Sequence, residues 1–347
     1  MESPILCLPL PQHLEGIDGS ARSDVMVSAT HGITRDFFAE TPTRDPLLLT
    51  ERLASSALSI TTRWRVATQP GPAASGSSER QIEYDGYFGV QRLTEADPLV
   101  SLGEATLVVY YRLMLDSLRG HSLSAVELAD LHGAFEATVS ILTGTLASAP
   151  MDPADPPSPA GAPPGTSVDA MLRWKLGHHT FFILIQALII VHARLAAALE
   201  LRRLPQAQEA FSLATRLWRG TAAAFRYTGD FTAEDYEQIV RPSMRPPFLK
   251  DGFSGFFSAD HAYLLRAIKS LQPILQELPP ELEQEHQSYL RALDAAYEAH
   301  AFVCERFVGE GKSLKGSLKD PYASAPTVIR RDLKSRALAG AGGRSVS

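Results

Sequence analysis

The chain has 347 residues, 45% of them hydrophobic, which is ample for one large core or two smaller ones. Its formal net charge of −6 excludes a general nucleic-acid binder, because phosphate contacts require a basic surface. Two cysteines make no disulfide framework, and the start of the chain shows no basic stretch followed by a secretory apolar core. A cytoplasmic protein with no membrane partner is the expectation.

Apolar recurrence and bounding Gly, Pro or capping residues predict helices over 46–60, 104–118, 124–148, 169–202, 206–227, 258–272 and 281–308. Between the first two of these, Gln81 to Val90 hints at a strand. A Pro/Gly/Ser-rich break lies at 70–78, and residues 150–164 hold seven of the 24 prolines. The apolar run Phe181 to Val191 has 11 residues, short of the roughly 20 that span a bilayer, and reads as a buried helix. The division expected is an N-terminal helical region (1–149), a Pro-rich connector (150–167), a helical bundle (168–330) and a flexible tail (331–347). The fold class is all-α, and Lys and Arg between 312 and 336 make a locally basic arm.

The chemistry concentrates near the C-terminus. Tyr289, Leu293, Tyr297, His300, Cys304 and Phe307 recur at spacings of four and three, one line on a helix. Facing a core, the imidazole needs a partner, since an unpaired buried polar group costs roughly 1–3 kcal/mol. The thiol sits about 6 Å further along the axis, nearly above the ring. A flat prosthetic group such as haem suits that pair, the histidine on its metal and the cysteine at its edge. A long core helix with a satisfied histidine and a small buried cysteine is the competing reading.

A second histidine, His261, lies in the helix-like run after Ser258, a natural N-cap. A short connection containing Pro273, Pro279 and Pro280 joins this run to the long helix, so the two helices should pack antiparallel or at a steep angle. His261 and His300 can then face one another across a slot, and paired imidazoles are a common way to hold haem iron.

His261, followed after 38 residues by His300-Ala-Phe-Val-Cys304, resembles the His…His-x-x-x-Cys signature of the haem-dependent 3-methyl-L-tyrosine hydroxylases of saframycin-type antibiotic pathways. That family sits within the tryptophan 2,3-dioxygenase-like superfamily of helical haem proteins. The resemblance implies a haem held between C-terminal helices, with His300 as proximal ligand, His261 as the other axial ligand and catalytic group, and Cys304 as a thioether to a haem vinyl. It also implies hydroxylation of an amino-acid substrate ortho to its phenol, driven by hydrogen peroxide.

The likeness runs over about residues 168–330. His178 to Gln186 is similar to the superfamily's first haem-pocket helix, with Gln186 where the dioxygenases carry their distal histidine. That departure disfavours dioxygenase chemistry. Phe231 to Arg241 and Gly252 to Ser258 resemble the segments that hold the substrate, which makes Arg241 or Arg245 the expected carboxylate grip and Ser254 and Gly255 expected contacts. Gly309 to Ser317 is similar to a mobile Gly-rich loop, with Lys312 and Ser313 as further contacts. A solvated charge for either arginine and an ordinary helix exit for the loop are the plain alternatives. Helical haem relatives often share pockets between subunits, so a homodimer is expected.

Other chemistries lack their residues. No Cys-x-x-Cys or His-Glu-x-x-His accompanies the histidines, and adjacent His178 and His179 point about 100° apart on a helix. That one of them faces the pocket is the lesser reading, and the role of either is left open. Gly-x-Ser-x-Gly and a dinucleotide fingerprint are absent. A dioxygenase-like enzyme and a bis-His electron-transfer or sensor protein are the alternative functions.

Overall fold

The computed structural model describes residues 6–15, 17, 78–94, 97–144, 168–250 and 258–308. Strand β1 (Leu6–Pro9) is followed by a single helical turn at Gln12–Glu15. Helix α1 (Glu79–Phe88) leads into β2 (Val90–Leu93), which pairs parallel with β1 from Leu6↔Val90 to Pro9↔Leu93. Helices α2 (Pro98–Ser117), α3 (Ala125–Thr143), α4 (Ala170–Glu200) and α5 (Leu204–Thr228) follow. A π-helical turn at Tyr236–Val240 precedes α6 (Ala259–Gln276) and α7 (Glu283–Val308). The all-α class holds, with one two-stranded sheet as its β component.

The strand hint at Gln81–Val90 is corrected: most of that stretch is α1. Its buried residues, Gln81, Tyr84, Asp85 and Phe88, follow helical spacing. Ser78 caps its start by accepting from the Gln81 amide, and Gly89 ends it at φ 67°, a left-handed conformation that favours glycine. Only Val90, the last residue of the run, and the residues that follow it to Leu93 form strand. Helix α2 begins six positions before the expected 104, because Asp97 caps it and Pro98 stands in its first turn. Helix α3 ends at Thr143 rather than 148, where Gly144 turns left-handed at φ 65°. Helix α6 runs through Pro273 to Gln276. There the proline and Lys269, whose carbonyl loses its partner, are both exposed, so water can satisfy that group. The helix expected at 46–60 lies outside the described residues.

Helix α4 is the axis of the bundle. Ile183, Leu184, Ala187, Leu188, Ile189, Ile190 and Val191 are all fully buried. The apolar run read from the sequence is the middle of a 31-residue helix, long and apolar enough by itself to cross a membrane. Of its most apolar window, 72% is buried inside the protein, as in a core helix. Helix α5 lies along α4, with α3 and α7 packed on α5, and α2 and α6 packed on α4. One apolar cluster takes side chains from both sides of the Pro-rich segment, including Leu113 and Phe135 before it and Leu188 and Phe211 after it.

Glycines let the axes approach. A Cβ on Gly177 of α4 would overlap the Thr228 side chain of α5, and one on Gly220 of α5 would overlap Ala134 of α3. A buried cluster ties α2, α4 and α5 together: Arg173 bonds Asp116 at 2.8 Å and the Asp230 carbonyl at 2.9 Å. Tyr227 donates to Asp116 at 2.8 Å, and the Ser122 amide donates to Asp230 at 2.8 Å.

Candidate functional site

The stripe read from the sequence forms the inner face of α7, where it meets α5 and the π turn. Tyr289 bonds His192 of α4 through its hydroxyl at 2.8 Å. Tyr297 stacks over Trp218 with centroids 6.4 Å apart, and Phe307 stacks on Tyr236 at 4.5 Å and Phe231 at 5.1 Å. Between these contacts, the His300 ring lies nearly flat on Phe225, 4.6 Å away at 22°.

Burial decides the protonation of the two chemical groups on this face. Desolvation pushes the His300 imidazole down to about 4, so it is neutral at pH 7. Its ring nitrogens hydrogen-bond to no described residue. The Cys304 thiol is pushed up to about 11 by the same cause, and the cysteine is free. Tyr236, raised to about 12 by burial, feels both Cys304 and Arg241, which places the three near one another.

His178 of α4 completes an aromatic wall. Its ring stacks on Phe88 at 4.4 Å and lies 4.3 Å from Trp174, with Phe181 at 5.6 Å and Phe181 in turn 4.3 Å from Phe225. Nδ1–H donates to the Trp174 carbonyl at 2.8 Å, because a carbonyl can only accept. Burial, then the neighbouring His179 and His300, push His178 down to about 3. His179 points elsewhere and donates from Nε2 to the Phe88 carbonyl at 2.6 Å. Of the adjacent pair, His178 is the one on the side of His300.

His261 sits in the first turn of α6, half-buried, with its amide donating to Ser258 Oγ at 3.3 Å. Helix α6 packs on α4 and α7 on α5, and the two histidine-bearing helices meet each other only sparsely. Antiparallel packing of one on the other is therefore not what the connection produces. They stand on neighbouring helices of a shared floor, His261 on the α4 side and His300 on the α5 side. Asp260, beside His261, is fully buried among Arg92 and Gln186.

Of the two arginines singled out, Arg241 is partly buried and pairs with Glu237 at 2.5 Å, whereas Arg245 is exposed. Ser254, Gly255, Lys312 and Ser313 lie outside the described residues. Sequence reading missed Tyr236, Arg92 and Asp260. The available signal was polarity out of place: Arg92 between Val90 and Leu93, and Gln186 within an apolar run.

Among the described residues no group of three or more His, Cys, Asp or Glu could hold a metal ion. A bare ion with an all-protein ligand set has no site there. A metal that brings most of its own donors, needing one or two imidazoles, suits what is present.

Comparison with known proteins agrees with these features. A solved structure described as reduced SfmD, soaked with sodium hydrosulfite, aligns with a TM-score of 0.67 at 24% identity, covering 86% of this chain and 97% of that one. The 3-methyl-L-tyrosine peroxygenase of Streptomyces lavendulae is 31% identical over 295 residues, 81% of this chain and 78% of the relative. The profile of the family described as SfmD 3-methyl-L-tyrosine peroxygenase matches residues 10–285, which include His261 and stop short of His300. From the fold, the relative and the profile together, the chain belongs to the SfmD 3-methyl-L-tyrosine peroxygenase family.

Proposed function

We propose that the protein is a haem peroxygenase that hydroxylates 3-methyl-L-tyrosine ortho to its phenol. One oxygen of hydrogen peroxide enters the ring, and the displaced hydrogen leaves with the other oxygen as water, giving 3-hydroxy-5-methyl-L-tyrosine. The observation that carries this reading is His300: a half-buried, neutral imidazole with no hydrogen bond to a described residue, one turn before a free thiol. A neutral imidazole with an unused lone pair is the form that binds iron.

The donor set fits a haem. His300 and His261 would hold the iron, and Cys304 would be the residue that ties the group to the chain through its sulfur. Bound haem supplies the activation of peroxide and the transfer of its oxygen. The chain's own residues do the rest. Phe181, Phe225, Trp174 and Tyr236 give an apolar, aromatic surround that keeps water away. His261, once off the iron, is suited to move the peroxide proton at its imidazole near neutral pH. Arg241, partly exposed and bonded among the described residues to an exposed Glu237, can exchange that partner for the amino acid's carboxylate. Arg245 and the loops holding Ser254, Gly255, Lys312 and Ser313 are the other proposed substrate contacts. A shared pocket in a homodimer belongs to the same reading.

The test is turnover of 3-methyl-L-tyrosine with peroxide labelled in heavy oxygen. A catechol carrying the label, formed without a reductant, is the expected result. Product formed only with molecular oxygen and a reductant, or ring cleavage of tryptophan instead, would overturn it.

A further inference from the structure

The first turn of α6 is held by a buried ion cluster that the reaction itself does not use. Arg92 of β2 lies between two carboxylates. Its Nε and Nη2 meet Asp85 at 3.0 and 2.8 Å, and its Nη1 and Nη2 meet Asp260 at 3.0 and 2.6 Å. Nη1 also points at the Pro9 carbonyl at 3.4 Å. Asp260, fully buried, accepts a further bond from Gln186 Nε2 at 2.7 Å, and that amide also donates to Pro9 O at 3.0 Å. Two elements, β2 and α4, thus bond Asp260 directly, while Asp85 of α1 and the Pro9 carbonyl of β1 hold the Arg92 and Gln186 side chains that do so.

The residues on either side of Asp260 are fixed as well. The Ala259 amide donates to Gln81 Oε1 of α1 at 2.6 Å, and the His261 amide donates to Ser258 Oγ at 3.3 Å. Three consecutive residues are therefore held at named atoms, and the last of them is His261. These bonds restrain the backbone of the turn and not the half-buried imidazole. A negative side chain in a helix's first turn is also favoured by the helix dipole.

A buried cluster of two carboxylates and one guanidinium is a poor source of stability, since desolvating the charges cancels most of their attraction. Its directional bonds give position instead. The Gln186 Oε1 atom, buried with no hydrogen-bond partner, is a local cost accepted in the same place.

We propose that Asp260, gripped by Arg92 and Gln186, is the positioning residue that locks the helix turn under His261, so that His261 leaves and rejoins the iron by side-chain rotation with the helix fixed. The proposal rests on the reading of His261 as an axial ligand. It adds that a locked turn returns the imidazole to the metal after each opening and so limits entry of any other ligand.

Cyanide is the probe, because it reaches ferric iron only while the axial imidazole is away. In haem-loaded Asp260→Asn, the low-spin absorption of the resting enzyme should weaken. The cyanide binding rate should rise about tenfold, the size that loss of one charge-assisted hydrogen bond corresponds to. Gln186→Met, which keeps the Arg92–Asp260 pair, should show the same change to a smaller extent and serves if Asp260→Asn does not fold. A folded variant with an unchanged or slower cyanide rate overturns the proposal. His261→Ala separates the two readings. If its resting spectrum matches the parent's, His261 is no ligand and both readings fall. If its spectrum changes while the anchor variants behave like the parent, the positioning role alone fails.

Discussion

His300 and His192 share a protein core and the same protonation, and they differ in what their nitrogens touch. His192 is pushed down to about 4 by burial, and both nitrogens are used: one on the Leu188 carbonyl at 2.6 Å, the other on the Tyr289 hydroxyl at 2.8 Å. His300 has no such partners among the described residues, so its lone pair is open to a metal. His300→Ala should therefore abolish haem retention, while Cys304→Ala should still bind haem but release it into acidic organic solvent, where the parent's colour stays with the polypeptide. The readout is absorbance partitioned between protein and solvent. A fully loaded His300→Ala with an unchanged spectrum would refute the ligand assignment. The stripe was legible because helical period alone tells which side chains share a face. The distinction between a satisfied histidine and an available one was not, because the partners of His192 include a hydroxyl from another helix.

The wall around His300 depends on how closely α4 and α5 approach, since α4 carries His178 and Phe181 and α5 carries Phe225. Gly177 is a point of close approach between them, against Thr228. Two effects oppose each other at that position. Alanine is the better helix former by about 1 kcal/mol, whereas overpacking a filled core costs about 1–3 kcal/mol. The added carbon would overlap the Thr228 side chain outright, so the packing cost should win. Gly177→Ala should lower the denaturant midpoint by the equivalent of up to about 2 kcal/mol, the difference between those effects. Gly177→Ala with Thr228→Ala should recover most of the loss, and no recovery would mean that the contact is elsewhere. Helix positions were mostly readable from period and caps, as in α4, α5 and α7. The differences came at α1, whose run had hinted at a strand, and at Pro273, where only exposure shows that a proline is tolerated. A lone glycine inside an apolar helix says nothing about the neighbour it admits.

Across the molecule, histidines are buried away from the candidate site as well as at it. Burial pushes His132, His179 and His192 each down to about 4. Each stays neutral in the folded chain, while the unfolded chain takes up a proton near pH 6.5. Below that pH the unfolded state binds more protons, so stability is complete above about 6.5 and falls as pH drops toward 4. Asp130, raised to about 6 by burial, acts in the opposite direction between its folded value and the ordinary carboxylate range. Asp294 is raised by burial in the same way, but these two carboxyls are outnumbered by the lowered histidines, which include His178 and His300, and do not reverse the slope. Each histidine contributes about 1.4 kcal/mol per pH unit in its window, so three remove about 4 kcal/mol per unit, comparable with the roughly 5–15 kcal/mol that folded proteins possess. Cooperative loss of helicity, followed by far-ultraviolet circular dichroism against pH, is expected between about pH 5.5 and 4.5, above the range where ordinary carboxylates titrate. The sequence offers ten histidines and no means of ranking their burial. Only packing of α3 and α4 against their neighbours makes three of them acid-sensitive. A chain that kept full helicity to pH 4 would have those imidazoles in contact with water, and the packing described for α3 and α4 would then be wrong.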